Sequence, residues 1–217
     1  MCLGTINGRR LWAWGRSVSC VRARVDGVET LRLVTFHGSA QDETALSAFA
    51  HEVAPNWPHL APRGAIASGD GSTFPTRRPD GSIDTCAVVG RAREMLSPTG
   101  DLGAMAGSFV ALGYSSGAIF VSALLSIAPE LFAGAVLLRP EPLADEFEFP
   151  AMVAMPVLIL SGKYDDRREP CAAHRLAMQL SDAGSIVTHH ALDAGHGWAP
   201  NHADAILTRS WLSQFSP

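Results

Sequence analysis

SFVALGYSSGAIFVSALLSIA, residues 108–128, decides the fold. Its first seven residues form an apolar run of strand length, and its last thirteen form an apolar run of helical length. Where they meet, two serines stand within a pair of glycines, Gly113 and Gly117. A strand that is apolar throughout, rather than alternating, suits a parallel sheet covered on both faces. The stretch reads as a buried strand over 108–114, a sharp turn, and a helix over 116–128.

The same pattern repeats downstream. GAVLLRP (134–140), MPVLILSG (155–162) and SIVTHHAL (185–192) read as strands. A helix follows Pro170, with Ala173, Leu176, Ala177 and Leu180 on one face, and another covers 201–215. Upstream, 42–54 and 83–96 carry helical spacing, and HLAPRGAI (59–66) is a short extended segment. It leads into SGDGSTFPTRRPDGS, which reads as a long loop rich in Gly and Pro. CVRARV (20–25) and TLRLVTF (30–36) flank Asp26-Gly27, a hairpin signal that predicts an antiparallel N-terminal edge. Strand alternating with helix implies a mostly parallel α/β sheet with helices on both faces. The interval between Arg139 and Pro156 is too short for a helical cap domain.

Bulk numbers narrow the classes. The 217 residues suffice for one domain; 47% are hydrophobic and 18% charged, as in a globular chain. A net charge of −4 offers no basic field for nucleic acid or an anionic membrane, and no run reaches membrane-spanning length. Cys2, Cys20, Cys86 and Cys171 are scattered without metal-ligand or disulfide spacing. No metal or cofactor is expected, and a reducing, cytoplasmic setting fits. The N-terminal GRRLWAWGRSVSC conforms poorly to a signal peptide or lipobox. Residues 1–18 are read as a tail and 19–217 as a single domain. The sequence leaves a homodimer open.

The serines can carry chemistry. A nucleophile on a tight strand-to-helix turn crowds the positions two before and two after it, which must be glycine. Gly113-Tyr114-Ser115-Ser116-Gly117 meets that rule only with Ser115 at the centre. Serine needs a base, and His196 in DAGHGWAP follows the last strand in a Gly-flanked loop. His189 and His190 are adjacent on a strand and point to opposite faces. The base needs an orienting acid, and either Asp165 or Asp166 ends a buried strand. The order Ser, Asp, His is that of an α/β-hydrolase triad. The oxyanion calls for two backbone N–H groups: Ser116, after the nucleophile, and Ser39 in FHGSAQDE (36–43). That loop also reads as a turn opening the 42–54 helix, with Asp42 as cap.

With these pieces placed, the chain resembles the phospholipase/carboxylesterase branch of α/β hydrolases. It is most similar to small bacterial hydroquinone-resistance-type carboxylesterases. FHGSAQDE, with Ala40 where that group has glycine, APRG (61–64), LGYSSGA, PELFAGAVLLRP (129–140), PVLILSGKYD and AGHG carry the resemblance. It covers about residues 30 to 215 and implies an α/β-hydrolase fold and a serine esterase with a small ester substrate. The group's G-x-x-D count from Gly162 selects Asp165, whereas counting back from Pro170 can select Asp166; the strand end favours Asp165. Where the group carries aromatics and arginines, this chain has Phe74, Arg77 and Arg78. Phe74 and Trp198 are the candidate apolar walls of the substrate site. The competing readings are a thioesterase or lactone hydrolase with the same triad, a carbon–carbon hydrolase, and a non-catalytic binding protein on this fold.

Overall fold

Six strands make one sheet in the computed structural model, which describes residues 31–105 and 107–215. In chain order they are β1 (Leu31–Phe36), β2 (His59–Leu60), β5 (Ser108–Tyr114), β6 (Phe132–Leu138), β7 (Pro156–Gly162) and β8 (Ile186–Leu192). Their order across the sheet is β2-β1-β5-β6-β7-β8, and every neighbouring pair is parallel. Such pairs need crossovers, and the helices supply them.

Alternating strand residues face opposite layers. Val34, Phe36, Ala111, Leu137 and Ile159 pack under α2 (Thr85–Met95), α3 (Ser116–Leu125) and α4 (Ala172–Asp182). Leu33, Val110, Leu112, Leu138 and Leu160 pack under α1 (Ser47–Val53) and α5 (Ala203–Leu212). All ten residues of α3 are buried, so it is the central helix rather than an amphipathic surface one. No helix lies between β6 and β7, so no helical cap stands over the strand ends. No helix among the described residues is long and apolar enough to cross a membrane.

Several expectations need correction. Among the described residues, an antiparallel strand pair joins β3 (Ile66–Ser68) to β4 (Gly71–Thr73), inside the stretch read as loop. β1 has β5 along its length on one side and β2 on the other, both parallel. The hairpin partner at 20–25 and the tail at 1–18 lie outside the described residues. α1 starts only at Ser47, and its N-cap is Leu46. Asp42 instead accepts bonds from the Thr44 N–H and hydroxyl, at 2.9 and 2.6 Å, closing a turn before the helix. α4 begins at Ala172, so Pro170 precedes its first turn.

Candidate active site

Ser115 follows β5 directly, as the N-cap of α3, with φ 54° and ψ −112°, a conformation that L side chains rarely adopt. Backbone contacts on either side explain the flanking glycines. A Cβ on Gly113 would lie 2.5 Å from the Gly117 carbonyl oxygen and 2.6 Å from the Ala118 nitrogen. A Cβ on Gly117 would lie 1.9 Å from the Phe36 carbonyl oxygen. The close approach at Gly117 also sets the end of β1 against the first turn of α3. The Ser115 side chain therefore stands at the sheet's C-terminal edge, above a helix N-terminus that favours negative charge.

His196 reaches it from the loop after β8. Its Nδ1 lies 3.0 and 2.9 Å from the two carboxylate oxygens of Asp165, and its Nε2 lies 2.8 Å from Ser115 Oγ. With Nδ1–H donating to the carboxylate, Nε2 is left to accept the serine O–H. Ser115, His196 and Asp165 thus form one hydrogen-bonded chain, drawn from the ends of β5, β7 and β8. Asp166 is exposed and takes no part in it. Burial pushes the His196 imidazole below its ordinary value; the Asp165 carboxylate opposes this, and the nearby Arg168 guanidinium adds to it.

The histidine loop is held at three successive carbonyls. The Tyr114 hydroxyl donates to the His196 carbonyl at 2.9 Å. Arg139 Nε donates to the Gly195 carbonyl at 3.2 Å, and Arg139 Nη2 to the Gly197 carbonyl at 2.8 Å. Arg139 is 1% exposed and forks onto Asp204, with Nη1–Oδ1 at 2.8 Å and Nη2–Oδ2 at 3.1 Å. Asp204 also accepts the Ala199 N–H at 2.7 Å. Asp204→Ala leaves a buried guanidinium without its counter-charge. It is expected to cost about 3–5 kcal/mol of stability, read from the urea unfolding midpoint.

The loop after β1 is braced from the opposite side. His37 is buried; its Nδ1 donates to the Gly38 carbonyl at 2.8 Å, and its Nε2 accepts the Gly64 N–H at 3.0 Å. Burial holds this ring below its ordinary pKa, in keeping with a neutral bridging role. The Ser72 N–H of β4 donates to the Gln41 carbonyl at 2.8 Å. Ser39 Oγ lies 3.1 Å from Thr73 Oγ1, so β4 pins Ser39 as well. Gly38 N–H donates to Gln41 Oε1 at 2.7 Å, which leaves Ser39 as the next amide along the loop. Ala40 has φ 60°, a left-handed conformation that accounts for glycine in the resembling group. Ser116 opens α3, where the first helical N–H groups lack intrahelical partners.

The two candidate walls fare differently. Phe74 is 2% exposed, stacked on Phe120 at 4.7 Å and edge-on to Phe36 at 5.5 Å. It is core beneath the β1 loop, not a wall of an open site. Trp198 is 49% exposed and stacks on Tyr114 at 5.1 Å and Phe49 at 4.7 Å. It opens onto a groove of about 410 Å³ shared with Ala45, Phe49 and His202.

Sequence reasoning missed Arg139, His37 and Arg168. Arg168 Nη2 donates to Ser115 Oγ at 3.0 Å. An arginine closing an apolar strand, as in GAVLLRP, is the signal that marked Arg139. Arg168 carried no such mark.

The chain is similar to known hydrolases in sequence and in fold. No protein-family profile matches the chain. It is 27% identical over 186 residues to MhqD of Bacillus subtilis, a protein named as a hydrolase, covering 84% of this chain and 92% of that one. The structure of a carboxylesterase from Mesorhizobium loti superposes with a TM-score of 0.74 at 28% identity, covering 86% and 90% of the two chains. The Bacillus cereus carboxylesterase gives 0.77 at 23% identity, covering 85% and 88%, a likeness of fold.

Proposed function

We propose that this chain, an α/β hydrolase of the phospholipase/carboxylesterase type, cleaves small carboxylic esters through an acyl-enzyme on Ser115. The observation that carries the reading is the continuous relay from Ser115 Oγ through His196 to Asp165. His196 Nε2 takes the hydroxyl proton as Ser115 Oγ adds to the ester carbonyl carbon. The N–H groups of Ser39 and Ser116 meet the oxyanion. His196 gives its proton to the alcohol oxygen as the carbon–oxygen bond breaks. Water then repeats the sequence: His196 takes its proton, hydroxide adds to the acyl carbon, and Ser115 regains the proton as it leaves. Asp165 holds the imidazole tautomer throughout.

Fluorophosphonate labelling, followed by a panel of p-nitrophenyl esters, thioesters and lactones, tests this reading. Labelling at Ser115 with ester turnover is the expected result. Thioester or lactone turnover in place of ester turnover points to the alternative substrate classes. No labelling and no turnover leaves only a binding role.

The relay also sets a pH dependence. Only neutral His196 can accept the serine proton, so kcat/KM rises as pH climbs through the histidine pKa. Burial lowers that pKa, so the acid limb is expected to centre below the ordinary value of 6.5. A limb centred above 6.5 in a pH profile shows that the Asp165 carboxylate outweighs burial at His196, against the expected direction.

A further inference from the structure

We infer that Arg168 is a specificity-determining residue that selects esters whose acyl group carries a carboxylate. This rests on the serine-esterase reading above. Arg168 lies on the loop between β7 and α4, and its side chain is only 8% exposed. Three neighbours fix its guanidinium. Nε donates to the Arg139 carbonyl at 3.0 Å, Nη1 to the Arg167 carbonyl at 3.1 Å, and Nη1 pairs with Glu141 at 3.1 Å. The remaining amino group, Nη2, donates to Ser115 Oγ.

Two counts follow from this geometry. The first is of charge. Glu141 is shared with Arg77, so one carboxylate faces two guanidinium groups. Asp165 faces His196 with both oxygens. His196 is neutral, so Asp165 and Glu141 together balance Arg77 and Arg168; what the site offers is a buried guanidinium in direct contact with the reacting oxygen, where a charge-assisted hydrogen bond counts for most. The second is of hydrogen bonds. Nη2 carries two N–H groups, and Ser115 takes one. Ser115 Oγ has one hydrogen and two lone pairs; the hydrogen goes to His196, one lone pair to Arg168, and the other is free to attack.

A neutral ester offers this charge nothing but its carbonyl. An acyl chain with a carboxylate one or two carbons beyond the scissile carbonyl places that carboxylate near Nη2 once the carbonyl is on Ser115. The alcohol must leave beside His196, which protonates it. The group that stays on Ser115 beside Arg168 is the acyl part, so the anion is assigned there and not to the alcohol.

The test compares kcat/KM for monoethyl succinate, its neutral isostere ethyl succinamate, and acetylglycolate, which carries the carboxylate on the alcohol side. The wild-type protein is expected to favour monoethyl succinate over the amide by about tenfold or more, the scale of one charge-assisted contact. Arg168→Met is expected to bring that ratio close to one, and Arg168→Lys to an intermediate value. Arg167→Met, on the exposed side of the loop, is expected to keep the wild-type ratio. Equal wild-type rates on acid and amide overturn the inference without any variant. So does a ratio unchanged in Arg168→Met, or a preference shown for acetylglycolate instead. Fluorophosphonate labelling is run alongside. A protein that labels and hydrolyses both succinyl esters equally has lost this inference and kept the esterase reading. One that neither labels nor turns over any ester has lost both.

Discussion

Ser115→Ala is expected to lower ester turnover by several powers of ten with the fold intact, and to abolish fluorophosphonate labelling. The side chain removed is in hydrogen-bond contact with both His196 Nε2 and Arg168 Nη2. What stays behind is the proposed pair of backbone donors, which is expected to support residual catalysis and no covalent intermediate. Ser116→Ala is the matched control. Ser116 Oγ is buried without a hydrogen-bond partner among the described residues, so alanine there removes no bond seen among them. Its proposed role belongs to the backbone N–H, which alanine keeps, and turnover is expected to change by less than about tenfold. Steady-state kinetics on a p-nitrophenyl ester separate the two variants. A collapse in Ser116→Ala equal to that in Ser115→Ala contradicts the choice of nucleophile, and near-normal turnover by Ser115→Ala contradicts the mechanism.

Asp165→Asn is expected to cost about ten-thousandfold in turnover, as loss of the correct imidazole tautomer does in other triads. Both Asp165 oxygens lie within 3.0 Å of His196 Nδ1. An amide that turns its NH2 toward Nδ1 forces the imidazole hydrogen onto Nε2, where it can no longer accept the serine proton. Asp166→Asn, one residue on, is expected to change turnover by less than about tenfold. Asp166 is exposed and lies six residues ahead of α4, too far to act on its first turn. If the two variants exchange phenotypes in the same kinetic assay, the orienting acid is Asp166.

Much of the frame could be read from residue order. Continuous apolar strands alternating with helices gave the parallel sheet, because burial on both faces leaves no polar alternation. The turn at Ser115 was legible because its glycines answer a local steric demand. The acid was narrowed to a doublet and then to Asp165 by a count from the strand end, which is also local.

What escaped the sequence is of three kinds. The β3–β4 hairpin has three-residue strands around Gly69-Asp70, too short to show a period and rich in residues that read as loop. Phe74, a single aromatic in that segment, carries no sign of which way it faces, and it faces the core. Arg139 with Asp204, and Arg168 with Ser115, join positions 65 and 53 residues apart. No spacing rule reports a pair that only the folded sheet brings together. Asp42 shows a third case: a carboxylate before a helical pattern can close a turn instead of capping the helix.

The Arg139–Asp204 fork ties the histidine loop to α5, since Asp204 belongs to the first turn of that helix. Proteins open in contiguous cooperative units, and those units need not coincide with the site. Here the proposed base and the last described helix are joined through one hydrogen-bonded fork, and they are expected to open together. Hydrogen exchange in α5 is therefore expected to track inactivation on warming, while β5 and α3 keep their protection. Loss of activity in that regime is a local and reversible event, separate in temperature from collapse of the sheet.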